Sequence, residues 1–429
     1  MVSAVLFITF FVLLVLNVPI SVCLGLSSAA AILYSGTSLT IVATNIYSGI
    51  SKFLLLAIPF FVLSGNIMAK AGISTRLIRF VDTCVGHRKG GIANVCIIVA
   101  CFFGAISGSG PATVAALGAV LIPAMVERGG FSAAFSTALM ATSSSIAIVI
   151  PPSIAFVVYA SITGVSIGDM FMAGIIPGIL MGLALIIVVM LEVRSNHVVP
   201  SNVEKASAKE RWNAFKDAFW GLLMPVIILG GIYGGIFTPM EAAAVAIFYG
   251  LFVGTFIYKT FNSWDKLLHV LFESVKATAV IMFVVTCAGL FAWVASTVGL
   301  VERGAAVLLA LSDNPWALLF LINVILLAAG MIMDAISIYY VLLPFLLPIV
   351  HHFAWDPVWF GVMMTENLAV GQVTPPVAVN LYVGAQIVDL TMEEMTPPVI
   401  PLLLATLVAL AVIVLFPGLS TFLPTLWGL

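Results

Sequence analysis

Long apolar runs separated by short polar segments make up most of the chain. Apolar stretches of twenty or more residues recur along nearly the whole sequence, for example at 1–34, 219–258 and 396–416. A membrane-spanning helix needs about 20 consecutive apolar residues. One or two membrane anchors would leave most of this pattern unexplained, so the pattern predicts an all-α polytopic membrane protein.

The apolar pattern divides into ten predicted spans, five in each half of the chain. The predicted spans are 1–16, 18–36, 44–70, 131–163 and 169–194 in the first half, and 219–237, 239–259, 267–298, 357–388 and 395–416 in the second half.

Each half also contains a pair of shorter apolar arms. The arms lie at about 92–106 and 111–126 in the first half, and at about 316–330 and 335–350 in the second half. An arm of 15 or 16 helical residues is about 24 Å long, whereas the hydrocarbon core is about 30 Å thick. We therefore predict two re-entrant hairpins, at about 92–126 and 316–350. Two tilted full spans in each half are the alternative interpretation.

The two halves repeat each other at a nearly constant offset. Pro151-Pro152 recurs as Pro375-Pro376, 224 residues later, and Pro177 recurs as Pro401 at the same offset. Because similar offsets hold over most of the chain, the sequence predicts two structural repeats, 1–194 and 219–429, joined by a linker at 195–218.

The distribution of Lys and Arg predicts that the two repeats are inverted. The linker between them is basic, and basic loops remain in the cytoplasm. The loop Gly86–Gly91 is also basic, but its counterpart Leu311–Pro315 contains no Lys or Arg. Equivalent loops with opposite charge bias indicate opposite sides of the membrane. We therefore expect the linker to be cytoplasmic and both termini to lie on the outer side of the membrane.

Composition excludes several other classes of protein. Hydrophobic residues make up 62% of the chain and charged residues 8%, whereas about a quarter of an ordinary soluble domain is charged. The net charge of −2 comes with no basic surface for nucleic acid, and the five cysteines form no CxxC motif. Ser109 lies in a Gly-Ser-Gly turn, but no apolar segment supplies a His partner for it, so we expect a protein that is not an enzyme.

A Pro-Pro pair interrupts one long apolar segment in each half, at 131–163 and at 357–388. Proline lacks an N–H group and clashes with the preceding helical turn, so both segments are predicted to be broken helices. A broken helix presents carbonyl groups that suit Na⁺ and helix N-termini that suit an anion. A proline kink used only for packing is the alternative. Two breaks at matching positions, each with a hairpin upstream, favour a binding site.

Several motifs resemble the large membrane subunit of tripartite ATP-independent periplasmic (TRAP) transporters. The motifs are Gly108–Ala116 (GSGPATVAA), Ile150–Ile154 (IPPSI), Ala173–Gly178 (AGIIPG) and Thr238–Ala244 (TPMEAAA). The resemblance extends over essentially the whole chain. It implies an elevator-type carrier of the bacterial inner membrane, with a scaffold and a mobile transport domain. It also implies two partners, a small four-helix membrane subunit and a periplasmic binding protein, and uptake of carboxylates, sialic acids among them, coupled to Na⁺.

The resemblance implies two Na⁺ sites, each formed by a hairpin tip and a helix break. The first site comprises Ser107, Ser109, Ser145, Ile148 and Pro151, and the second comprises Gly330, Met331, Gly371 and Thr374. We expect backbone carbonyls to supply most ligands, because Na⁺ is a hard cation and these positions contain few carboxylates.

The substrate is expected between the two Na⁺ sites. The candidate substrate-binding residues are Ser109, Thr113, Ser153, Asp334 and Asn380. An Asp in the centre of a membrane costs about 3 kcal/mol on insertion scales, so Asp334 is the strongest candidate, and a helix N-cap is its alternative role. We expect no basic residue near the tips, so that a substrate carboxylate depends on helix N-termini and hydroxyl groups. This polar set favours a polyhydroxylated acid such as sialic acid over a C4-dicarboxylate.

Two acidic positions have simpler interpretations. Thr238 and Glu241 have capping-box spacing for a helix that starts at Pro239, whereas Glu366-Asn367 is expected on a solvated face.

Two alternatives to the whole assignment are a stand-alone Na⁺/carboxylate symporter of related fold and a channel. A channel fits less well, because two broken helices around a central site are typical of alternating access.

Overall fold

A computed structural model of the chain describes residues 1–195 and 205–427. All regular structure in these residues is helical, which confirms the predicted fold class. The α-helices of the first half are α1 (Val2–Val15), α2 (Ile20–Tyr34), α3 (Thr40–Ile50), α4 (Ala57–Lys70), α5 (Ile73–Val85), α6 (Gly91–Ser107), α7 (Gly110–Glu127), α8 (Ala133–Ser145), α9 (Ile154–Thr163) and α10 (Ile167–Ser195).

The second half contributes ten further α-helices to the described residues. They are α11 (Ala208–Tyr233), α12 (Pro239–Phe252), α13 (Trp264–Thr297), α14 (Leu300–Leu311), α15 (Pro315–Gly330), α16 (Ala335–His352), α17 (Pro357–Gly371), α18 (Val379–Val388), α19 (Met392–Leu415) and α20 (Gly418–Trp427). Short 3₁₀ turns lie at Phe53–Leu56 and Ile146–Ile148, and a π-helical turn lies at Val253–Ile257.

Eight helices in the described part of the chain are long and apolar enough to cross a membrane. Both predicted hairpins are present as helix pairs, α6–α7 and α15–α16. Their second arms, α7 and α16, contain 18 residues each and are longer than expected. Helix length therefore does not distinguish a re-entrant hairpin from two full spans. The two arrangements differ in where the hairpin tip lies.

Two predicted boundaries are wrong. The predicted span 44–70 is split into α3 and α4, because the chain leaves the helix at Ser51 and Lys52, and the Lys52 ammonium donates to the Ser161 carbonyl over 3.0 Å. Helix α11 starts within the predicted linker, since Ser207 and Glu210 form a capping box at its first turn. Part of that linker, residues 196–204, lies outside the described residues.

The helix order is the same in the two halves, apart from the split of α3 and α4 and the additional helix α20. For example, α5 and α14 each start after a glycine with left-handed backbone, Gly72 (φ 78°) and Gly299 (φ 69°). The inverted orientation of the two halves stays a prediction.

The halves interlock through the distal parts of the broken helices. Helix α9 of the first half packs against α16 and α17, and α18 of the second half packs against α7 and α8. The Tyr159 hydroxyl on α9 donates to the Pro357 carbonyl at the start of α17 over 2.6 Å. Because each half holds the broken helix of the other, the two breaks lie within one packed unit.

Candidate functional site

The tip of the first hairpin rests directly on the first helix break. Gly108 has a left-handed backbone (φ 60°), and a Cβ atom placed on it would lie 2.7 Å from the Pro152 carbonyl oxygen. One turn earlier, a Cβ on Gly104 would lie 2.8 Å from the Cα of Ala147. The hairpin therefore turns back beside the middle of the broken helix, as a re-entrant hairpin does.

The tip of the second hairpin meets the second break through two glycines. A Cβ on Gly330 would lie 3.0 Å from the Cα of Gly371, and a Cβ on Gly371 would lie 2.7 Å from the Cα of Gly330. Only residues without side chains allow two backbones to approach this closely. The carbonyl groups of both segments are thus concentrated at one point.

The first tip also reaches the second break, so the two halves share one centre. A Cβ on Gly110 would lie 2.7 Å from Gln372 Oε1 and 2.8 Å from Asn380 Nδ2. Asn380 Nδ2 donates to the Ala141 carbonyl of α8 over 3.3 Å. Gln372 Oε1 and Asn380 Oδ1 are buried and have no hydrogen-bond partner among the described residues. Gln372 was not among the sequence candidates, although it directly follows Gly371.

The residues of the predicted first Na⁺ site are grouped around the first tip and break. The hydroxyl oxygens of Ser107 and Thr113 are 2.8 Å apart, and Thr113 donates to the Ser109 carbonyl over 2.8 Å. The Ser145 hydroxyl donates to the carbonyl of Thr142 over 2.8 Å and keeps its lone pairs. Pro151 is buried at the break. The Ile148 carbonyl already accepts a hydrogen bond from Ser153 at 2.5 Å.

In the predicted second Na⁺ site, the polar groups are bonded within their own segments. The Thr374 hydroxyl donates to the Val370 carbonyl over 2.7 Å, and the Thr374 amide donates to the Gly371 carbonyl over 3.1 Å. Met331 is half-buried and ends α15. The backbones of Gly330 and Gly371 meet at their Cα atoms, and the oxygen atoms of this segment are neutral hydroxyl and carbonyl oxygens, a type that suits a hard cation.

Two of the candidate substrate residues serve as helix caps. Asp334 accepts a hydrogen bond from the Ser337 amide at 3.0 Å and another from the Ser337 hydroxyl at 2.6 Å. Ser153 is fully buried and accepts from the Phe156 amide at 3.3 Å. The alternative capping role of Asp334 is thus present in the structure, and its role toward a substrate stays a prediction. The capping box of Thr238 and Glu241 is confirmed.

A cavity of about 490 Å³ lies beside the first tip and is also lined by α4 and α13. Helix α4 contacts the tip directly next to it, because a Cβ on Gly65 would lie 3.2 Å from the Cα of Ser107. Ser107 and Ser109 line one side, whereas Asn66 and Lys70 of α4 and Glu273 of α13 line the opposite side. The Lys70 ammonium lies 3.2 Å from a Glu273 carboxylate oxygen, and both side chains are about half exposed, at 50% and 42%. The expectation that no basic residue lies near the tips is therefore wrong, because helix packing brings Lys70 to the first one.

Glu366 and Asn367 do not lie on a solvated face. They are 0% and 1% exposed, because α17 is enclosed by α9, α10, α15, α16 and α19. Asn367 Nδ2 donates to the side-chain oxygen of Asn323 on α15 over 2.9 Å. Neither carboxyl oxygen of Glu366 has a partner among the described residues.

Hairpin tips that meet helix breaks inside a polytopic membrane protein define the class of secondary transporters. The sequence profile of the family described as "Tripartite ATP-independent periplasmic transporter, DctM component" matches residues 7–419. The chain therefore belongs to the TRAP transporter large permease family.

Relatives and a solved structure agree with this family and fold. The chain is 37% identical to the C4-dicarboxylate TRAP transporter large permease protein DctM of Rhodobacter capsulatus, over 97% of each chain. It is 38% identical to the sialic acid TRAP transporter large permease protein SiaM of Vibrio cholerae, over 93% of this chain and 92% of that one. The crystal structure of the YdaH transporter of Alcanivorax borkumensis superposes with a TM-score of 0.63 and 17% identity, over 89% of both chains.

The close contact of Gly330 with Gly371 generates a prediction. We expect Gly371→Ala to lower the midpoint of thermal unfolding of the purified protein, because the added methyl group meets backbone that cannot move aside. Overpacking of this kind costs about 1–3 kcal/mol. The matched control is Gly230→Ala in α11, where an added Cβ meets no atom within 4 Å. Equal midpoints for the two variants would show that the two segments are not in contact.

Proposed function

We propose that the protein takes up a small organic acid across the bacterial inner membrane by secondary transport coupled to Na⁺. The observation that carries this proposal is the convergence of two hairpin tips and two helix breaks on one centre. Oxygens without partners, Gln372 Oε1 and Asn380 Oδ1, remain at that centre. The relatives named for C4-dicarboxylate and for sialic acid transport support the choice of an organic acid.

Two Na⁺ ions accompany the substrate in this proposal. The first binds among Ser107, Ser109, Ser145, Ile148 and Pro151, and the second among Gly330, Met331, Gly371 and Thr374. Neutral hydroxyl and carbonyl oxygens suit a monovalent hard cation better than a divalent or transition metal. The Ser107–Thr113 hydroxyl pair at 2.8 Å and the Gly330–Gly371 contact concentrate such oxygens at both positions.

The substrate occupies the cavity between the first tip and helices α4 and α13 in this proposal. Its carboxylate binds Lys70, and its hydroxyl groups face Ser107 and Ser109. A single Lys that already pairs with Glu273 suits one carboxylate better than two. We therefore favour a polyhydroxylated monocarboxylate such as sialic acid, with a C4-dicarboxylate as the alternative substrate class.

The hairpins and broken helices move together as a transport domain in this proposal, while α4 and α13 belong to the scaffold. Supporting this division, the broken helices interlock with the hairpin arms of the opposite half, and the cavity is lined by the first tip together with α4 and α13. A small four-helix membrane subunit and a periplasmic binding protein complete the transporter. The alternative, a stand-alone Na⁺/carboxylate symporter, needs no binding protein.

Uptake into proteoliposomes tests the function. With the small membrane subunit reconstituted beside it, we expect uptake of radiolabelled sialic acid only with added binding protein and an inward Na⁺ gradient. Undiminished uptake when choline replaces Na⁺ would exclude Na⁺ coupling. Uptake without any binding protein would instead support the stand-alone symporter.

The same assay tests the Na⁺ ligands. Ser145→Ala or Thr374→Ala is expected to raise the Na⁺ concentration for half-maximal uptake roughly tenfold, equivalent to about 1.4 kcal/mol. Thr286→Ala is the matched control, because the Thr286 hydroxyl also donates to a carbonyl of its own helix over 2.7 Å but lies in α13. A Na⁺ requirement that stays unchanged in both site variants would contradict the assignment.

If the substrate carboxylate replaces Glu273 at Lys70, substitutions of these two residues should change the KM for uptake in opposite directions. Lys70→Gln removes the group that binds the carboxylate and is expected to raise the KM for uptake roughly tenfold. Glu273→Gln removes the competing carboxylate and is expected to lower it. The control is Lys276→Gln, because Lys276 lies in α13 like Glu273 but does not line the cavity. If Lys70→Gln transports with the KM of the control, the carboxylate does not bind at Lys70.

We also propose that the linker faces the cytoplasm and that both termini face the periplasm. The basic residues of the linker and of the Gly86–Gly91 loop support this orientation. In a variant without native cysteines, Ser207→Cys is expected to react with an impermeant maleimide only after the cells are opened. Thr425→Cys in α20 is expected to react in spheroplasts that are still intact. The reverse labelling pattern would show that the linker faces the periplasm and the termini face the cytoplasm.

A further inference from the structure

A cluster of three cationic side chains lies far from the transport site, at the start of the first hairpin. Arg88 and Lys89 belong to the Gly86–Gly91 loop, and Arg194 lies in the last turn of α10. Gly90 brings them together: its backbone is left-handed (φ 67°), and an added Cβ would lie 2.8 Å from Val193 of α10. The loop is thus seated on the last turns of α10, beside Arg194.

The three cations line one cavity of about 380 Å³ whose other walls are largely apolar. The remaining lining residues are Val85, Asn94, Ile98, Ile186, Met190 and Val193. Met190 is 53% exposed, and its neighbours Ile187 and Leu191 on α10 are exposed as well. An exposed apolar helix face of this kind is suited to contact with acyl chains, and it borders the opening of the cavity.

The charges of this cavity are not compensated within the described residues. Arg88, Lys89 and Arg194 take part in none of the salt bridges found there. Helix α6 begins at Gly91, beside the cluster, and its free amide groups add positive potential. Three cations next to a helix N-terminus favour a phosphate group.

The side-chain oxygen of Asn94 adds a second requirement for the ligand, besides its phosphate group. Asn94 lines the same cavity and is 8% exposed, and its Oδ1 atom is buried without a hydrogen-bond partner. An amide oxygen can only accept a hydrogen bond, so a ligand that reaches this atom has to supply a donor beside its anionic group. A headgroup hydroxyl meets this need, whereas a headgroup ammonium would be repelled by the three cations.

We propose that this cavity binds an anionic phospholipid with a hydroxylated headgroup, of the phosphatidylglycerol type. The phosphate binds Arg88, Lys89 and Arg194, a headgroup hydroxyl donates to Asn94, and one acyl chain lies along Ile98, Ile186 and Met190. The lipid joins the first turn of α6 to the end of α10. Both helices also contact the first helix break, α6 through Gly104 and α10 through Gly174. A bound lipid thus stabilises the unit that carries the first Na⁺ site.

Native mass spectrometry of the detergent-purified permease with its small subunit tests the proposal. We expect phosphatidylglycerol to bind at low stoichiometry and to raise the midpoint of thermal unfolding, with no such effect of phosphatidylethanolamine. The variant R88Q/K89Q/R194Q is expected to lose affinity on the order of 100-fold, because each cation near an anionic lipid contributes roughly a fivefold factor.

The control variant K209Q/K276Q/R303Q also loses three positive charges, but at exposed positions outside this cavity. It is expected to bind phosphatidylglycerol like the unmodified protein, and both triple variants should elute as folded complexes. Asn94→Ala provides a second test: it should reduce the preference for phosphatidylglycerol over phosphatidic acid without abolishing binding of either lipid. Equal phosphatidylglycerol binding by the two triple variants would overturn the proposal, as would an unchanged lipid preference in Asn94→Ala.

Discussion

Peptide groups inside a membrane must find hydrogen-bond partners within the protein, because lipid offers none. Both helix breaks meet this constraint with local bonds. At the first break, Ser153 bonds the Ile148 carbonyl and the Phe156 amide. At the second, the Asn380 amide donates to the Gln372 carbonyl over 3.1 Å. Among the described side chains at this centre, Gln372 Oε1 and Asn380 Oδ1 remain without a hydrogen-bond partner, and an amide oxygen can only accept a hydrogen bond.

The two tips approach their breaks in chemically different ways, although the halves repeat each other. The first tip carries Ser107, Ser109 and Thr113, so hydroxyl groups lie next to Gly108, the residue that contacts the break. The second tip has Gly330 pressed against Gly371, so backbone meets backbone. A repeated scaffold thus carries two tips of different composition. In the proposed function, this difference gives the two Na⁺ positions different ligands.

The parts of this architecture that depend on local chemistry were predictable from the sequence. Apolar length and the Pro-Pro pairs predicted the helices, both hairpins and both breaks, because a proline acts on its own turn. The missed features depend on distant contacts. Lys52 splits a predicted span by bonding Ser161, Lys70 reaches the first tip only through helix packing, and Glu366 is buried because other helices enclose α17. Ser207 and Glu210 are an exception, since their capping-box spacing is local and predicts the early start of α11.

The Lys70–Glu273 pair gives the proposed substrate cavity a cation whose charge is already balanced. An ion pair between half-exposed side chains contributes only about 0–1 kcal/mol. In the proposed function, a substrate carboxylate therefore replaces Glu273 at little cost, and the Lys70 ammonium is paired before and after the exchange. An unpaired lysine in the same cavity would bind an anion more tightly and release it more slowly. Because transport requires release on the other side of the membrane, the weaker and exchangeable partner is the better arrangement for turnover.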